Sequence, residues 1–118
     1  MKKIICFDID GVICKTKFNE YKKSKPIKKN IKIINDLFNK GFFIKIYTAR
    51  YMGRNFDNKK KAEQQIKKLT IQQLKKWKVN YNKIFFGKPS FDLFVDDKSI
   101  FFKENWHKIL KKKINLLK

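Results

Sequence analysis

Histidine is almost missing from this chain. His107 is the single one in 118 residues, and there are two cysteines, Cys6 and Cys14. Their spacing fits no thiolate or imidazole metal cluster. One lies in a predicted core strand and the other just beyond an acidic motif, so both are expected to be reduced thiols of a cytoplasmic protein. No apolar run exceeds five residues, which removes any candidate transmembrane helix. Lys2 and Lys3 lead directly into a short motif that carries Asp8 and Asp10, which is not the pattern of a signal peptide. Arginine is scarce as well: Arg50 and Arg54 are the only two, although Lys and Arg together number 31 against 10 acids, a net charge of +21. A polyanion-recognising surface would use more Arg. The joint excess of Lys, Ile and Asn is also what an AT-rich coding sequence produces. Two readings of the charge stay open, a solvated lysine background and a true attraction for a polyanion. Either way the positive field favours phosphorylated substrates.

The stretch that organises the chain is Ile4-Ile5-Cys6-Phe7-Asp8-Ile9-Asp10-Gly11-Val12. Its continuous apolar run predicts a strand over 3–9, buried on both faces as in a parallel sheet. Asp8 and Asp10, two apart, then share one side of the strand end, and Gly11 lets the backbone turn away. Residues 11–25 read as a loop or small flap. Pro26 suits a first helical turn, Ile27, Ile31, Ile34, Leu37 and Phe38 recur at helical spacing, and Gly41 fits the stop. Residues 42–47 form a second strand, and 51–60 a polar loop. A helical stretch begins near Lys60; the capping-box pattern Thr70-x-x-Gln73 predicts two helices meeting at Thr70, the second stopping at Asn80. Residues 83–87 and 91–95 are the third and fourth strands. A last helix over 102–117 turns Trp106, Ile109, Leu110, Ile114 and Leu117 inward. Trp77 and Trp106 read as core, and His107 as an ordinary helix residue. No repeat or linker divides the chain, so residues 1–118 are expected to form one α/β domain with a three-layer parallel sheet.

In such a sheet the strand ends bring Asp8, Asp10, Thr48, Lys88, Asp96 and Asp97 to one edge, where open α/β sheets bind ligands. Several carboxylates without a His or Cys cluster suit a hard cation, and Mg²⁺ is the usual one in phosphate chemistry. An aspartate there can also act as a nucleophile through an aspartyl-phosphate. Thr48 can hydrogen-bond a phosphoryl oxygen, and Lys88 can neutralise charge in the transition state.

Phe7-Asp8-Ile9-Asp10-Gly11-Val12 resembles the first motif of the haloacid dehalogenase superfamily of phosphohydrolases, and Thr48, Lys88 and Asp96-Asp97 resemble its second, third and fourth, in order. The wording Tyr47-Thr48-Ala49-Arg50, Phe86-Gly87-Lys88-Pro89 and Asp96-Asp97-Lys98 is closer still to small capsule-biosynthesis phosphatase-like proteins. The resemblance implies a HAD-like, Rossmann-like fold with helices on both faces of the sheet, and Mg²⁺ as cofactor. Asp8 would be nucleophile and metal ligand. Asp10 would be acid/base and would touch the metal through its carbonyl. Backbone N–H groups near Ile9 and Ala49, together with Thr48 and Lys88, would hold phosphate. Asp97 aligns best with the direct metal ligand, and Asp96 would orient a bound water or Lys88. Arg50 is a candidate for substrate contact or for a structural ion pair, and Arg54, on the polar loop, is a candidate for substrate contact. The short loops leave no room for a cap domain, so the site is open unless the flap at 13–25, the loop at 51–60 or a second subunit covers it.

The function expected is hydrolysis of a phosphorylated small molecule, a sugar phosphate or related precursor of a surface polysaccharide. A polynucleotide 3′-phosphatase or nucleotidase would use the same chemistry. A non-catalytic basic module that binds nucleic acid on a HAD fold is the reading from another class. No membrane is expected as a partner, and a homo-oligomer is compatible with the sequence.

Overall fold

The six residues Phe43–Thr48 form the central strand of the sheet, in a computed structural model that describes residues 2–117. Alternate side chains of this strand are buried, as expected for the strand with neighbours on both sides. In chain order the elements are β1 (Ile4–Asp8), β2 (Cys14–Lys15), β3 (Lys25–Pro26), α1 (Lys28–Asn39), β4 (Phe43–Thr48), α2 (Lys59–Lys76), β5 (Lys83–Phe86) and α3 (Trp106–Leu117). β4 pairs in parallel with β1 on one side, Ile4 to Phe43 through Asp8 to Tyr47, and with β5 on the other, Lys45 to Lys83 through Thr48 to Phe86. The three strands therefore run out at one edge carrying Asp8, Thr48 and the Phe86-Gly87-Lys88 turn. Lys88 N donates to the Thr48 carbonyl at 3.1 Å and locks that edge.

Each connection between neighbouring strands is a helix, as parallel pairing requires. α1 buries Ile31, Ile34 and Leu37, and stops as Gly41 predicts. Gly41 takes φ +96, its N–H bonds the Phe38 carbonyl, and Phe42 N–H bonds that of Leu37, the Schellman closure. α2 is capped by Asn58, whose side chain accepts from Lys61 N. In α3, Trp106, Leu110 and Ile114 are buried at four-residue spacing. Trp106 meets Phe7 edge-on at 6.2 Å and donates its indole N–H to Asn30 Oδ1. All three helices contribute to one apolar cluster with β1 and β4.

The structure is thus a small α/β fold with a three-stranded parallel sheet, three helices and no cap. It departs from the sequence reading in six places. β1 is not buried on both faces: Ile4 is 56% exposed and Cys6 is exposed too, because β1 lies at an edge of the sheet. The predicted fourth strand over 91–95 is absent. Pro89 and Asp92 interrupt that segment, and neither β1 nor β5 pairs with it. Thr70 does not divide two helices; α2 runs through it, and its hydroxyl is fully buried as a partner of Arg50. The left-handed stop is Lys78 at φ +58 rather than Asn80. Pro26 does not open α1; it pairs with Cys14 in the short β2–β3 hairpin that forms the base of the flap. α3 begins at Trp106 rather than 102, Ile109 is half-buried, and the Leu117 side chain lies outside the described residues. Among the described residues no helix is long and apolar enough to cross a membrane.

Candidate active site

Asp8 and Asp10 end up in different surroundings. The strand closes at Asp8, so the two-residue alternation that would align the carboxylates stops between them. Gly11, at φ +91, turns the chain so that the N–H groups of Val12, Ile13 and Cys14 all fold onto the Ile9 carbonyl. A side chain at residue 11 would be strained there.

Asp8 faces a cleft of about 300 Å³ at the sheet edge, lined also by Tyr21, Ala49, Tyr51, Arg54, Lys88 and Phe91. Its Oδ1 accepts from Ile9 N at 2.8 Å, and its Oδ2 faces the Lys88 ammonium at 3.3 Å. The same ammonium lies over the rings of Phe91 and Phe94, 5.4 and 5.6 Å from their centroids. Burial holds the Asp8 carboxyl above the usual carboxylate range, against the opposing pull of Lys88 and the Ile9 N–H.

This shift has a consequence for stability. An acid whose pKa is higher in the folded chain binds its proton more tightly there. Folding is favoured while the proton is on, and that gain is lost as pH climbs from the unfolded value through the folded one. Asp8→Asn is therefore expected to be more stable than wild type at neutral pH, with the difference closing below about pH 4. Thermal unfolding of both proteins across that range checks this. A variant that melts lower at neutral pH would show that the Lys88 pair outweighs burial.

Asp10 does not line the cleft. Its side chain is 28% exposed and forms a two-pronged pair with Arg50, Oδ2 to Nε at 2.9 Å and Oδ1 to Nη2 at 3.0 Å. Thr16 Oγ1 also donates to Oδ1, and is itself bonded to Ser24 across the flap. Arg50 is fully buried. Its Nη1 reaches Gln73 Oε1 at 2.6 Å and Thr70 Oγ1 at 3.2 Å, and its guanidinium lies 4.8 Å from the Tyr21 ring centroid. Gln73 passes the link on, donating to the Tyr21 carbonyl. Every contact places a donor on Asp10, so a protonated Asp10 would have to give one up.

The other expected residues fall as follows. Ile9 is fully buried, and its N–H is spent on Asp8. The buried Thr48 hydroxyl accepts from Arg50 N at 3.1 Å, shaping the turn that sends Arg50 inward. Arg50 is thus aimed at Asp10 rather than at the cleft, whereas Arg54 lines the cleft. Asp96 and Asp97 are exposed on the irregular segment after β5, where Asp96 Oδ1 accepts from Lys98 N. Without a fourth strand nothing carries them to Asp8, and among the described residues no three acidic, His or Cys side chains converge. The donor set expected for Mg²⁺ is not assembled in this arrangement: one carboxylate is available, and it already faces Lys88.

Tyr21, Tyr51 and Phe91 as cleft walls, Thr16 as a partner of Asp10, and Thr70 and Gln73 as partners of Arg50 are roles that the sequence reading did not assign. Their partners lie up to 52 residues away in the chain, and no local pattern marks them. A wider, shallow groove runs along the outer face of α2, lined mostly by Lys and Gln side chains, with none of this chemistry.

No family model matches the chain, and neither does any curated protein sequence. Solved structures do. The crystal structure of a target protein from Vibrio cholerae is similar over 94% of this chain and 98% of its own length, at 25% identity and a TM-score of 0.78. Chains in two structures of the Pnkp1/Rnl/Hen1 complex, one described as an RNA repair complex, match at 17% and 15% identity with TM-scores of 0.55 and 0.52. Almost all of this chain is covered, but it spans about a third of theirs. These last two likenesses are of fold.

Proposed function

We propose that this chain is a phosphomonoester hydrolase of the haloacid dehalogenase type. The observation that carries the reading is the Asp8 carboxylate, lining an open cleft at the edge of a parallel sheet with Lys88 3.3 Å away. A carboxylate beside a fixed ammonium is suited to meet a phosphate: Lys88 neutralises the ester's charge as Asp8 approaches phosphorus. In the first step an Asp8 oxygen bonds to phosphorus, the P–O bond to the leaving group breaks, and the leaving oxygen takes up a proton. In the second, water attacks the aspartyl-phosphate, its proton goes to a base, and phosphate departs with Asp8 restored. Asp10 is assigned that proton traffic. To donate, it must first release one of the contacts it makes with Arg50 or Thr16.

The expected substrate is a sugar phosphate or similar small ester. A nucleic-acid 3′-end is the second reading, favoured by the +21 charge and by the fold likeness to chains of an RNA repair complex. The test is a panel of both ester types, run with Mg²⁺ and with chelator. We expect release of phosphate that requires Mg²⁺. Asp8 with Asp96 or Asp97 would then be the residues that hold the cation, which would supply positive charge at the phosphoryl group. Turnover unaffected by chelator would leave Lys88 as the only cation at the nucleophile, and no turnover of any ester would overturn the proposal. Affinity that falls steeply with salt marks the polynucleotide. Nucleic-acid binding by an inert protein, unchanged in Asp8→Asn, marks a non-catalytic module.

A further inference from the structure

The cleft contains a cation that the proposed chemistry does not use. Lys88 is committed to Asp8, but the Arg54 guanidinium has no carboxylate partner among the described residues and makes no hydrogen bond to Asp8. It is stacked instead on Tyr51, 4.6 Å from the ring centroid. Tyr51 packs against Tyr21 at 5.4 Å, and Tyr21 covers the buried Arg50. Two arginines and two tyrosines thus alternate from the core to the cleft rim.

The backbone is strained to build this wall. Tyr51, Phe56 and Asp57 all adopt positive φ, between 53° and 64°, and none is glycine. For a bulky residue such as Tyr51 that conformation is a true outlier, of the kind that gathers at ligand sites. The loop is pinned in place. Asn55 donates to the Tyr51 carbonyl, and Asp57 accepts from both the N–H and the hydroxyl of Ser90, tying the loop to the Lys88 side of the cleft. Arg54 is exposed, and with its guanidinium over the Tyr51 ring its fork of donors is open to a planar or tetrahedral anion.

We infer that Tyr21, Tyr51 and Arg54 form a leaving-group subsite for a ring that carries, besides the ester attacked by Asp8, a second phosphate. This rests on the hydrolase reading above. The ring lies against the tyrosines, and the second phosphate meets Arg54. Among the described residues that line the cleft Asp8 is the only acid, so no second carboxylate there opposes another anion. A nucleoside 3′,5′-bisphosphate and a sugar bisphosphate share this chemistry, and about 300 Å³ suits molecules of either kind.

The test pairs adenosine 3′,5′-bisphosphate with adenosine 3′-phosphate, and fructose 1,6-bisphosphate with fructose 6-phosphate. Turnover is measured with wild type, and binding with Asp8→Asn, so that the subsite is judged even if no ester is hydrolysed. We expect at least one bisphosphate to be preferred by about tenfold, in line with one charge-assisted contact. Arg54→Ala should reduce that ratio toward one, and Arg54→Lys should restore part of it. Lys112→Ala, an exposed charge on α3, should leave the ratio unchanged. A preference in the nucleoside pair alone assigns the ring to a nucleoside, and one in the sugar pair alone to a sugar. Equal binding within both pairs, or a preference that survives Arg54→Ala, or one that falls as much in Lys112→Ala, overturns the subsite.

Discussion

Asp8→Asn is expected to lower kcat/KM for any phosphomonoester by at least about a thousandfold, the scale seen when a covalent nucleophile is removed. The amide keeps the size of the side chain but cannot form the aspartyl-phosphate. The fold is expected to survive, because the change keeps the shape of the side chain and removes a partly buried charge. The loss would therefore be chemical, and circular dichroism and the melting comparison above would separate it from unfolding. Rapid quenching should trap phosphate on the wild-type protein as a hydroxylamine-sensitive acyl phosphate, and none on the variant. The pH profile offers a second check. Asp8 must be ionised to attack, and burial holds its proton on above the usual carboxylate range. The acidic limb of kcat/KM should therefore rise at higher pH than an ordinary aspartate would give. Turnover by Asp8→Asn within tenfold of wild type would remove Asp8 from the role of nucleophile.

Arg50→Ala is expected to cost roughly 3 kcal/mol of stability, the range found when one partner of a buried ion pair is removed. Two methylene groups and a guanidinium disappear from a site with no exposure, Asp10 loses both of its nitrogen donors, and Gln73 Oε1 and Thr70 lose one each. Arg50→Lys should recover little, because an ammonium cannot span Asp10, Gln73 and Thr70 with one planar fork. Urea unfolding gives the measurement: a lower midpoint with unchanged slope. The double variant with Asp10→Ala should lose less than the two single changes together, since the unpaired charge is then gone as well. A loss below about 1 kcal/mol in Arg50→Ala would mean that water replaces the guanidinium at no cost, and that Asp10 is held by the flap alone.

The parts of the fold legible in the sequence were those written as local periodicity. Ile31, Ile34 and Leu37 mark α1, the Gly41 stop closes it, and Trp106, Leu110 and Ile114 mark α3. The edge assembly of Asp8, Thr48 and Lys88 follows from strand ends in a parallel sheet, and that too could be read. What could not be read was pairing at a distance. Thr70 has the same letters whether it caps a helix or bonds Arg50 in the middle of one, and only the neighbour 20 residues away decides. Arg50 reads as a cation next to a site, and nothing nearby in sequence says that it points into the core. The segment Phe91–Val95 has the composition of a strand, but composition does not supply a neighbouring strand to pair with. With that strand missing, Asp96 and Asp97 lose the support that their spacing alone seemed to promise.

The register of β1 against β4 also bears on how the chain acquires its chemistry. Ile4 pairs with Phe43, and Asp10 with Arg50, across 39 and 40 residues of chain. Closing loops of that length is slow compared with forming a helix turn. During synthesis Asp8 emerges first, but it has no partner strand until β4 follows and no Lys88 ammonium until after β5. The edge that carries Asp8 and Lys88 is therefore closed by long-range contacts, Lys88 to Asp8 spanning 80 residues, so its formation should track the late formation of the sheet rather than the early gain of helix.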